Sequence, residues 1–379
     1  MTSSQARWRS ENNTPPPQKI IEVDDTLKAD GALRLAHAGT AMLWRGDFQN
    51  AKQLLQAMVR RLDAQAAKKK SNVEMPQAFH LHRQAQAQRA RVLGQILISI
   101  EGDYAISLKR APLAIEACEQ AWGPSDGQPS MVSLREWLGV IGAYEWRKKG
   151  VRVPALHALR DPRNDDADIH PFYGVFSPVR GEYVDLVAQA PLPSTELAME
   201  IGAGTGVLSA VLALRGVKQI IATEHDVRAV TCATFNAHRL GLERRIDVTQ
   251  CDMFAPQRAP LIICNPPWLP GKASSSIEKA IYDEDSQMLK SFLLGLKNHL
   301  LPNGEGWLIL SDLAEYLKLR TREQLMGWIE EAGLRVIDKH DIQPRHGKAF
   351  ENRDSLSEYR QLEMTSLWRL RLCELGRLL

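Results

Sequence analysis

The spacing of apolar residues divides the chain into an N-terminal part with a helical pattern and a C-terminal part in which strands and helices alternate. Between about Asp30 and Trp146, apolar residues recur at three- and four-residue intervals, as on one face of a helix. The pattern is clearest in Ala32–Trp44, Ala51–Leu62 and Phe79–Ile100. We therefore predict an all-helical domain over residues 30–150.

After Pro193, short apolar runs alternate with amphipathic stretches. The runs predict seven strands at Leu197–Ile201, Gln219–Thr223, Ile246–Gln250, Pro260–Cys264, Glu305–Ser311, Leu334–Asp338 and Glu363–Leu370. Helices are predicted between them, among others at Val207–Leu214, Val227–Arg239, Ser286–Leu300 and Arg322–Ala332. Such alternation is typical of an α/β fold, here a Rossmann-like, mostly parallel seven-stranded sheet with helices on both faces.

The segments outside these two patterns are polar. Residues 1–18 include three consecutive prolines and lack the charged and apolar regions of a signal peptide, so we predict a disordered tail over residues 1–29. Charged residues, Pro and Asp crowd residues 147–168, which predicts a linker over residues 151–169. The α/β domain then covers residues 170–379.

Composition narrows the class of protein. The chain is 44% hydrophobic and 25% charged, as in globular proteins, and it has no apolar run of about 18 residues, so we predict no membrane span. Its 5 cysteines are scattered without a CxxC pair, which predicts no metal site and no disulfide framework. A reducing, cytoplasmic location follows from that pattern.

The net charge of +3 is unevenly distributed. Residues 1–150 hold 21 basic and 15 acidic side chains, and residues 51–100 alone hold 9 basic and 2 acidic ones. This excess indicates either a polyanionic partner or a helix face that is simply solvated.

A glycine-rich turn follows the first predicted strand of the α/β part. The sequence Glu200-Ile-Gly-Ala-Gly-Thr-Gly places Gly202, Gly204 and Gly206 between that strand and a helix, where glycine lets a ligand approach the backbone. A dinucleotide fingerprint would need glycine at position 207, which is Val207. The turn therefore favours a nucleoside ligand without a pyrophosphate over NAD, the other reading being a tight turn without ligand.

Acidic residues follow the next two strands. Glu224 can accept hydrogen bonds from both hydroxyls of a ribose, and Asp252 can accept from an adenine amine while Met253 and Phe254 cover the ring. Glu200 can either accept from the ammonium of an amino-acid tail or fix the glycine turn through backbone amides. These acids and the glycine turn on three successive strands fit S-adenosylmethionine (SAM).

The fourth strand ends in Asn265-Pro-Pro-Trp268. The side-chain carbonyl of Asn265 and the backbone carbonyl of Pro266 can hold the two N–H groups of a planar amine, Pro267 stiffens the turn, and Trp268 offers a face for stacking. The competing reading is a rigid loop with a buried tryptophan. In combination with the glycine turn, the motif predicts methyl transfer to nitrogen.

These motifs resemble those of the class I SAM-dependent methyltransferases, in the small-domain group that contains HemK-type and adenine-N6 enzymes. The resemblance covers residues 170–345 and lies in the first motif at residues 200–206, the ribose acid Glu224, the adenine acid Asp252 and the N-P-P-[YFW] motif at residues 265–268. Phe176 and Pro178 resemble the Phe/Pro segment that precedes the core in this group and adjoins the cofactor. HemK-type enzymes also carry a helical N-terminal domain that recognises the substrate.

We therefore predict a SAM-dependent N-methyltransferase that acts on a macromolecule, with residues 30–150 as the substrate-recognition domain. Adenine N6 of RNA or DNA is favoured over the amide N5 of a protein glutamine, because of the basic stretch and Trp268. A non-catalytic SAM-binding scaffold is the alternative of another class, and an NAD oxidoreductase is a weaker third option.

Overall fold

A computed structural model describes residues 6–67, 74–160, 166–179, 181–273, 277–344 and 356–373. The chain divides into two units, Met1–Glu145 and Trp146–Leu379. None of the helices in the described residues has the length and apolar character that a membrane span requires.

The N-terminal unit contains a five-stranded sheet, so the prediction of an all-helical domain is wrong. Its strands are β1 (Arg7–Trp8), β2 (Lys19–Val23), β3 (Thr40–Trp44), β4 (Ile96–Ile100) and β5 (Ser130–Ser133), in the order β1-β5-β4-β3-β2. Its helices are α1 (Ala29–His37), α2 (Phe48–Ala67), α3 (Gln77–Leu93), α4 (Ile115–Trp122) and α5 (Leu134–Lys149), the last of which continues past Glu145.

Two of the predicted helices were too long because buried strands follow them directly. Gly39 has a φ of 73°, which ends α1 before β3, and every residue of β3 is buried. Gly94 likewise ends α3 shortly before β4. A strand buried on both faces is a continuous apolar run, which periodicity alone does not distinguish from a buried helix.

The predicted tail and linker are also partly structured. Within the tail, β2 pairs in parallel with β3, and β1 pairs with β5; residues 1–5 lie outside the described part. Within the predicted linker, α6 (Pro154–Leu159) belongs to the C-terminal unit, and Val151 bridges to Ile169. Backbone pairing with distant segments orders these polar stretches, and their composition gives no sign of it.

The C-terminal unit confirms the predicted seven-stranded sheet, in the order β13-β14-β12-β9-β6-β7-β8. Its strands are β6 (Leu197–Ile201), β7 (Gln219–Glu224), β8 (Ile246–Gln250), β9 (Ala259–Cys264), β12 (Leu300–Ser311), β13 (Leu334–Ile342) and β14 (Thr365–Leu372), and β10 (Leu269–Pro270) and β11 (Tyr282–Asp283) form a separate parallel pair. Only β14 runs antiparallel to its neighbours in this sheet.

Helices cover this sheet between the strands. They are α7 (Glu182–Gln189), α8 (Val207–Leu214), α9 (Val227–Arg239), α10 (Gln287–His299), α11 (Leu313–Tyr316), α12 (Arg322–Glu331) and α13 (Ser357–Leu362), with short 3₁₀ turns at Ile277–Ala280 and Glu284–Ser286. Apolar clusters fill the two faces of the sheet, one around α7 and α8 and the other around α10 and α12. A capping box at Thr321 and Gln324 starts α12.

A buried ionic network ties β12 to β14. Glu305 is fully buried, and its carboxylate accepts hydrogen bonds from Arg369 Nε and Nη2 at 2.9 Å each, from Arg371 Nη2 at 2.8 Å and from Trp307 Nε1 at 3.0 Å. Burial raises the pKa of Glu305, but the bonds from Arg369, Trp307 and Arg371 outweigh it and lower that pKa. Within the described residues, these four hydrogen bonds satisfy the carboxylate of Glu305.

Replacing Glu305 with alanine should lower the free energy of unfolding by about 3 kcal/mol, because Arg369 Nε and Nη2 and Trp307 Nε1 would lose their acceptor beside the core, although Arg369 Nη1 would keep its bond to Asp338. Urea unfolding would measure the loss. As a control, Lys218→Ala removes an ion pair with Glu196 whose side chains are 65% and 67% exposed, and should cost less than about 1 kcal/mol. Equal losses in the two variants would contradict the stabilising role of this network.

Candidate active site

The glycine turn after β6 has a left-handed backbone that needs glycine. The φ angles of Gly202, Gly204 and Gly206 are 73°, 54° and 77°. A Cβ at Gly202 would lie 2.8 Å from Met288 Cε, whereas one at Gly204 would meet no atom within 4 Å. The backbone at Gly204 therefore faces open space, which allows close approach of a ligand.

Glu200 holds the helix that follows this turn. The carboxylate is buried, and its Oε2 accepts hydrogen bonds from Ser209 N at 2.8 Å and from Ser209 Oγ. Burial raises the pKa of Glu200 to about 8, the bonds from Ser209 lower it, and the charge of Glu224 raises it. The amide that Glu200 binds belongs to α8 and not to the glycine turn itself, so both predicted roles of Glu200 stay predictions.

Glu224 lies at the end of β7 and also binds backbone amides. Its Oε2 accepts from Gly204 N at 3.0 Å, and its Oε1 accepts from His225 N at 2.9 Å and Asp226 N at 3.1 Å. His225 Nδ1 also lies 3.2 Å from Oε1, so the acceptor position that remains is the second lone pair of Oε2. Asp226, in turn, caps α9 by accepting from Arg228 N at 2.8 Å. The predicted bond from Glu224 to a ribose stays a prediction.

The loop after β8 carries Asp252 and Met253. Asp252 is exposed, and Met253 has a φ of 63° and accepts a 2.5 Å hydrogen bond from Thr223 Oγ1 at its carbonyl. The ring of Phe254 stacks on that of His299 with the ring centroids 4.4 Å apart, and its predicted cover of an adenine stays a prediction. Phe254 fills the space above Gly295, where a Cβ would lie 2.1 Å from its ring.

The Asn265-Pro-Pro-Trp268 turn follows β9. Trp268 Nε1 donates a 2.8 Å hydrogen bond to Asn265 Oδ1, and its ring packs against the apolar clusters on both faces of the sheet. Since an indole N–H can only donate, this bond fixes the orientation of the Asn265 amide. Pro266 is buried, and both Asn265 and Pro267 are half-buried. Asn265 Oδ1 keeps a second lone pair for another donor.

A residue that the sequence did not single out joins this turn to the glycine turn. Asp283, in β11, accepts from Met288 N at 3.0 Å and Leu289 N at 3.1 Å, and so caps α10. Met288 in turn contacts Gly202. Asp285 and Ser286, between Asp283 and α10, have φ angles of 54° and 55°, so no local capping pattern marks Asp283 in the sequence.

The segment before the core is attached to the same region through Asn236. Its side-chain Nδ2 donates to Thr205 O at 3.0 Å and to His170 O at 3.3 Å. Phe176 is 37% exposed and Pro178 is buried. Their predicted contact with a cofactor stays a prediction.

The sheet order brings the main predicted residues to one edge. The strands β9, β6, β7 and β8 are adjacent and parallel, and Ile201 is in register with Cys264. Asn265, the glycine turn, Glu224 and Asp252 therefore follow the carboxyl ends of four neighbouring strands, where ligands bind in such sheets. Among the described residues, no group of His, Cys, Asp and Glu could hold a metal ion.

Comparison with known families identifies this part of the chain. Residues 174–327 match the model of a family described as "Methyltransferase small domain". The resemblance drawn from the motifs, to class I SAM-dependent methyltransferases of the small-domain group, is thereby confirmed.

Known proteins resemble the chain over part of their length. The tRNA1(Val) (adenine(37)-N6)-methyltransferase of Shewanella halifaxensis (strain HAW-EB4) is 33% identical over 141 residues, which cover 35% of this chain and 57% of that protein. The protein of the same name from Shewanella pealeana is 33% identical over 153 residues, or 35% and 58%. The chain thus spans less than two thirds of these relatives.

Among solved structures, a ribosomal protein L11 methylase from Lactobacillus delbrueckii subsp. bulgaricus covers 56% of this chain and 91% of its own. The two are 17% identical, with a TM-score of 0.38.

The buried carboxyl of Glu200 should make the stability of the small domain depend on pH. Its raised pKa means that the folded protein keeps a proton between about pH 4.5 and about pH 8 that the unfolded chain releases, so stability falls as the pH rises through this window. Glu200→Gln cannot titrate and should flatten that decline, by up to about 1.4 kcal/mol per pH unit.

Urea unfolding at several pH values between 5 and 8 would measure both slopes. Glu196→Gln is the matched control, since the Glu196 side chain is 67% exposed, and it should keep the wild-type slope. If Glu200→Gln kept that slope too, the pH dependence would have another origin.

Proposed function

We propose that the chain is a SAM-dependent N-methyltransferase whose acceptor is a planar amino group of a macromolecule, with adenine N6 of RNA favoured. The observation that carries the proposal is the position of Asn265. Its amide follows β9, directly beside the strand that leads into the glycine turn, and it is held in one orientation by Trp268.

The residues that follow β6, β7 and β8 fit SAM. The backbone at Gly204 faces open space, Glu224 retains an acceptor position, and the exposed Asp252 offers a further carboxylate. In this proposal the glycine turn holds the amino-acid part, Glu224 the ribose and Asp252 the adenine, with Met253 beside the ring. When bound, SAM supplies a methyl group that is already activated by its sulfonium.

The role of the protein is then to orient the acceptor nitrogen. The lone pair of an aromatic amine is delocalised, so the amine reacts only when its N–H groups are held and the nitrogen is aimed. Asn265 Oδ1 has one lone pair left beside the bond from Trp268, and the Pro266 carbonyl offers a second acceptor. Positioning of this kind can lower a barrier by roughly 7–11 kcal/mol.

An RNA acceptor is favoured by charge and by the named relatives. Within residues 51–100, 9 side chains are basic and 2 are acidic, and α3 in this stretch contains His80, Arg83 and Arg91 but no acid. Both relatives described above are named as tRNA adenine-N6 methyltransferases. We infer that the N-terminal unit contributes to RNA recognition. An RNA substrate also agrees with the cytoplasmic location that the cysteine pattern predicts.

Asn265→Ala should abolish methyl transfer while SAM binding persists, because the substitution removes an acceptor for the amine and leaves the glycine turn intact. Tritium transfer from labelled SAM to bulk RNA would measure the first effect, and calorimetry the second. Asn298→Ala, an exposed asparagine on α10, is the matched control and should keep full activity.

Retained turnover in Asn265→Ala would remove Asn265 from the proposed role. If the wild type transferred label to protein but not to RNA, a glutamine acceptor would be favoured instead. If the wild type bound SAM but transferred label to neither RNA nor protein, a binding scaffold would be favoured.

Arg91→Glu should weaken RNA binding by the full-length protein and reduce its dependence on salt, because each phosphate contact of a basic side chain releases counterions. Fluorescence anisotropy with a labelled tRNA between 50 and 300 mM salt would measure both effects. Lys218→Glu is the control. Lys218 lies just before the amino end of β7, and this charge reversal should leave RNA binding as in the wild type. Identical behaviour of the two variants would contradict RNA recognition by α3.

A further inference from the structure

Arg320 carries a buried guanidinium with unused donors. The residue follows α11 and is 2% exposed, and neither its Nε nor its Nη2 has a hydrogen-bond partner within the described structure. Burial lowers the pKa of Arg320 to about 10, and the charges of Glu315 and Asp283 offset only part of that effect. Buried donors without an acceptor are costly, and Arg371, which pairs with Glu305, leaves only its Nε unpaired, so two unpaired nitrogens on the guanidinium of Arg320 favour an external acceptor.

The carboxylates near Arg320 are engaged elsewhere. Glu315 accepts from Arg322 Nε, at 2.8 Å and 3.1 Å from its two oxygens. Asp283 accepts from the backbone amides that start α10. Both attract Arg320 without forming an ion pair with it, which leaves its fork of N–H donors available to an external acceptor.

The position of Arg320 in the fold lies on the acceptor side of the proposed site. Arg320 follows β12, which is the neighbour of β9 on the side away from β6, β7 and β8. The residues proposed to hold SAM follow β6, β7 and β8, so the acceptor has to enter from the β9 and β12 side. Asp283, whose charge acts on Arg320, lies in β11, which pairs with β10 immediately after Trp268.

We propose that Arg320 binds a phosphate group of the RNA next to the nucleotide whose amine is methylated. The inference rests on the proposed function. A planar guanidinium matches two phosphate oxygens in bidentate fashion, and the contact forms away from bulk water, where it is strong. Because Arg320 is only 2% exposed, the side chains around it have to change rotamer when the phosphate arrives. Arg320 is thus a binding residue that positions the acceptor.

The first test uses Arg320→Met, which keeps the volume and removes the charge. Methyl transfer to RNA should show a KM for RNA that is raised about tenfold or more, with an unchanged Kd for SAM. The melting temperature of the free variant should rise, since an unpaired buried charge is lost. Arg320→Lys keeps the charge without the fork and should restore part of the affinity. Arg335→Met, an exposed arginine on β13, should change neither property.

The second test replaces a phosphate that flanks the methylated nucleotide with a neutral methylphosphonate, in a short RNA substrate whose target site has been located by mass spectrometry. For the wild type, one of the two flanking replacements should raise KM about tenfold. That rise in KM should be absent in Arg320→Met, and it should be smaller in Arg320→Lys than in the wild type.

Equal sensitivity of the wild type and Arg320→Met to both replacements would overturn the role of Arg320. A fall in melting temperature with an unchanged KM would do so as well, because it would mark Arg320 as structural. Absence of RNA methylation by the wild type would reject the proposed function itself, which is a separate result.

Discussion

The glycine turn after β6 is held by two buried carboxylates, and the rest of the candidate site is placed relative to it. Glu200 binds the start of α8 and Glu224 binds the amide of Gly204. A carboxylate in a dry environment needs donors, and here the main chain provides them. The turn is thereby fixed in a left-handed conformation that only glycine adopts without strain, and its backbone at Gly204 remains accessible.

Side chains near β9 and α10, on the side proposed for the acceptor, are held by similar contacts. Asp283 binds the first amides of α10, and α10 places Met288 against Gly202. Trp268 fixes the Asn265 amide through its indole N–H. Polar side chains at this edge of the sheet are therefore oriented by local partners before any ligand binds, which is the property that precise positioning of a reacting nitrogen requires. Arg320 departs from this pattern, because its Nε and Nη2 have no such partner in the part of the chain that the structure describes.

Sequence reasoning failed mainly in the N-terminal unit. Only two residues separate each helix from the next strand, Ala38-Gly39 before β3 and Gly94-Gln95 before β4, and β3 is buried along its whole length, so both strands extended the predicted helices. In the C-terminal unit, Gly202, Asp226 and Asp312 lie between β6, β7 and β12 and the helices that follow them. A buried apolar run carries no periodicity of its own, so a single glycine before β3 or β4 did not distinguish the strand from a continued helix.

The sequence by itself determined the alternation of strands and helices after Pro193, the glycine turn, and the positions of Glu224, Asp252 and Asn265 at strand ends, because each depends on the backbone preferences of nearby residues. Only the tertiary structure decided that Phe254 packs against His299 of α10, that Asp283 caps α10, that Trp268 orients Asn265 and that Arg320 is buried with its Nε and Nη2 unpaired among the described residues. These outcomes depend on which side chains meet across the fold, and local spacing does not encode such contacts.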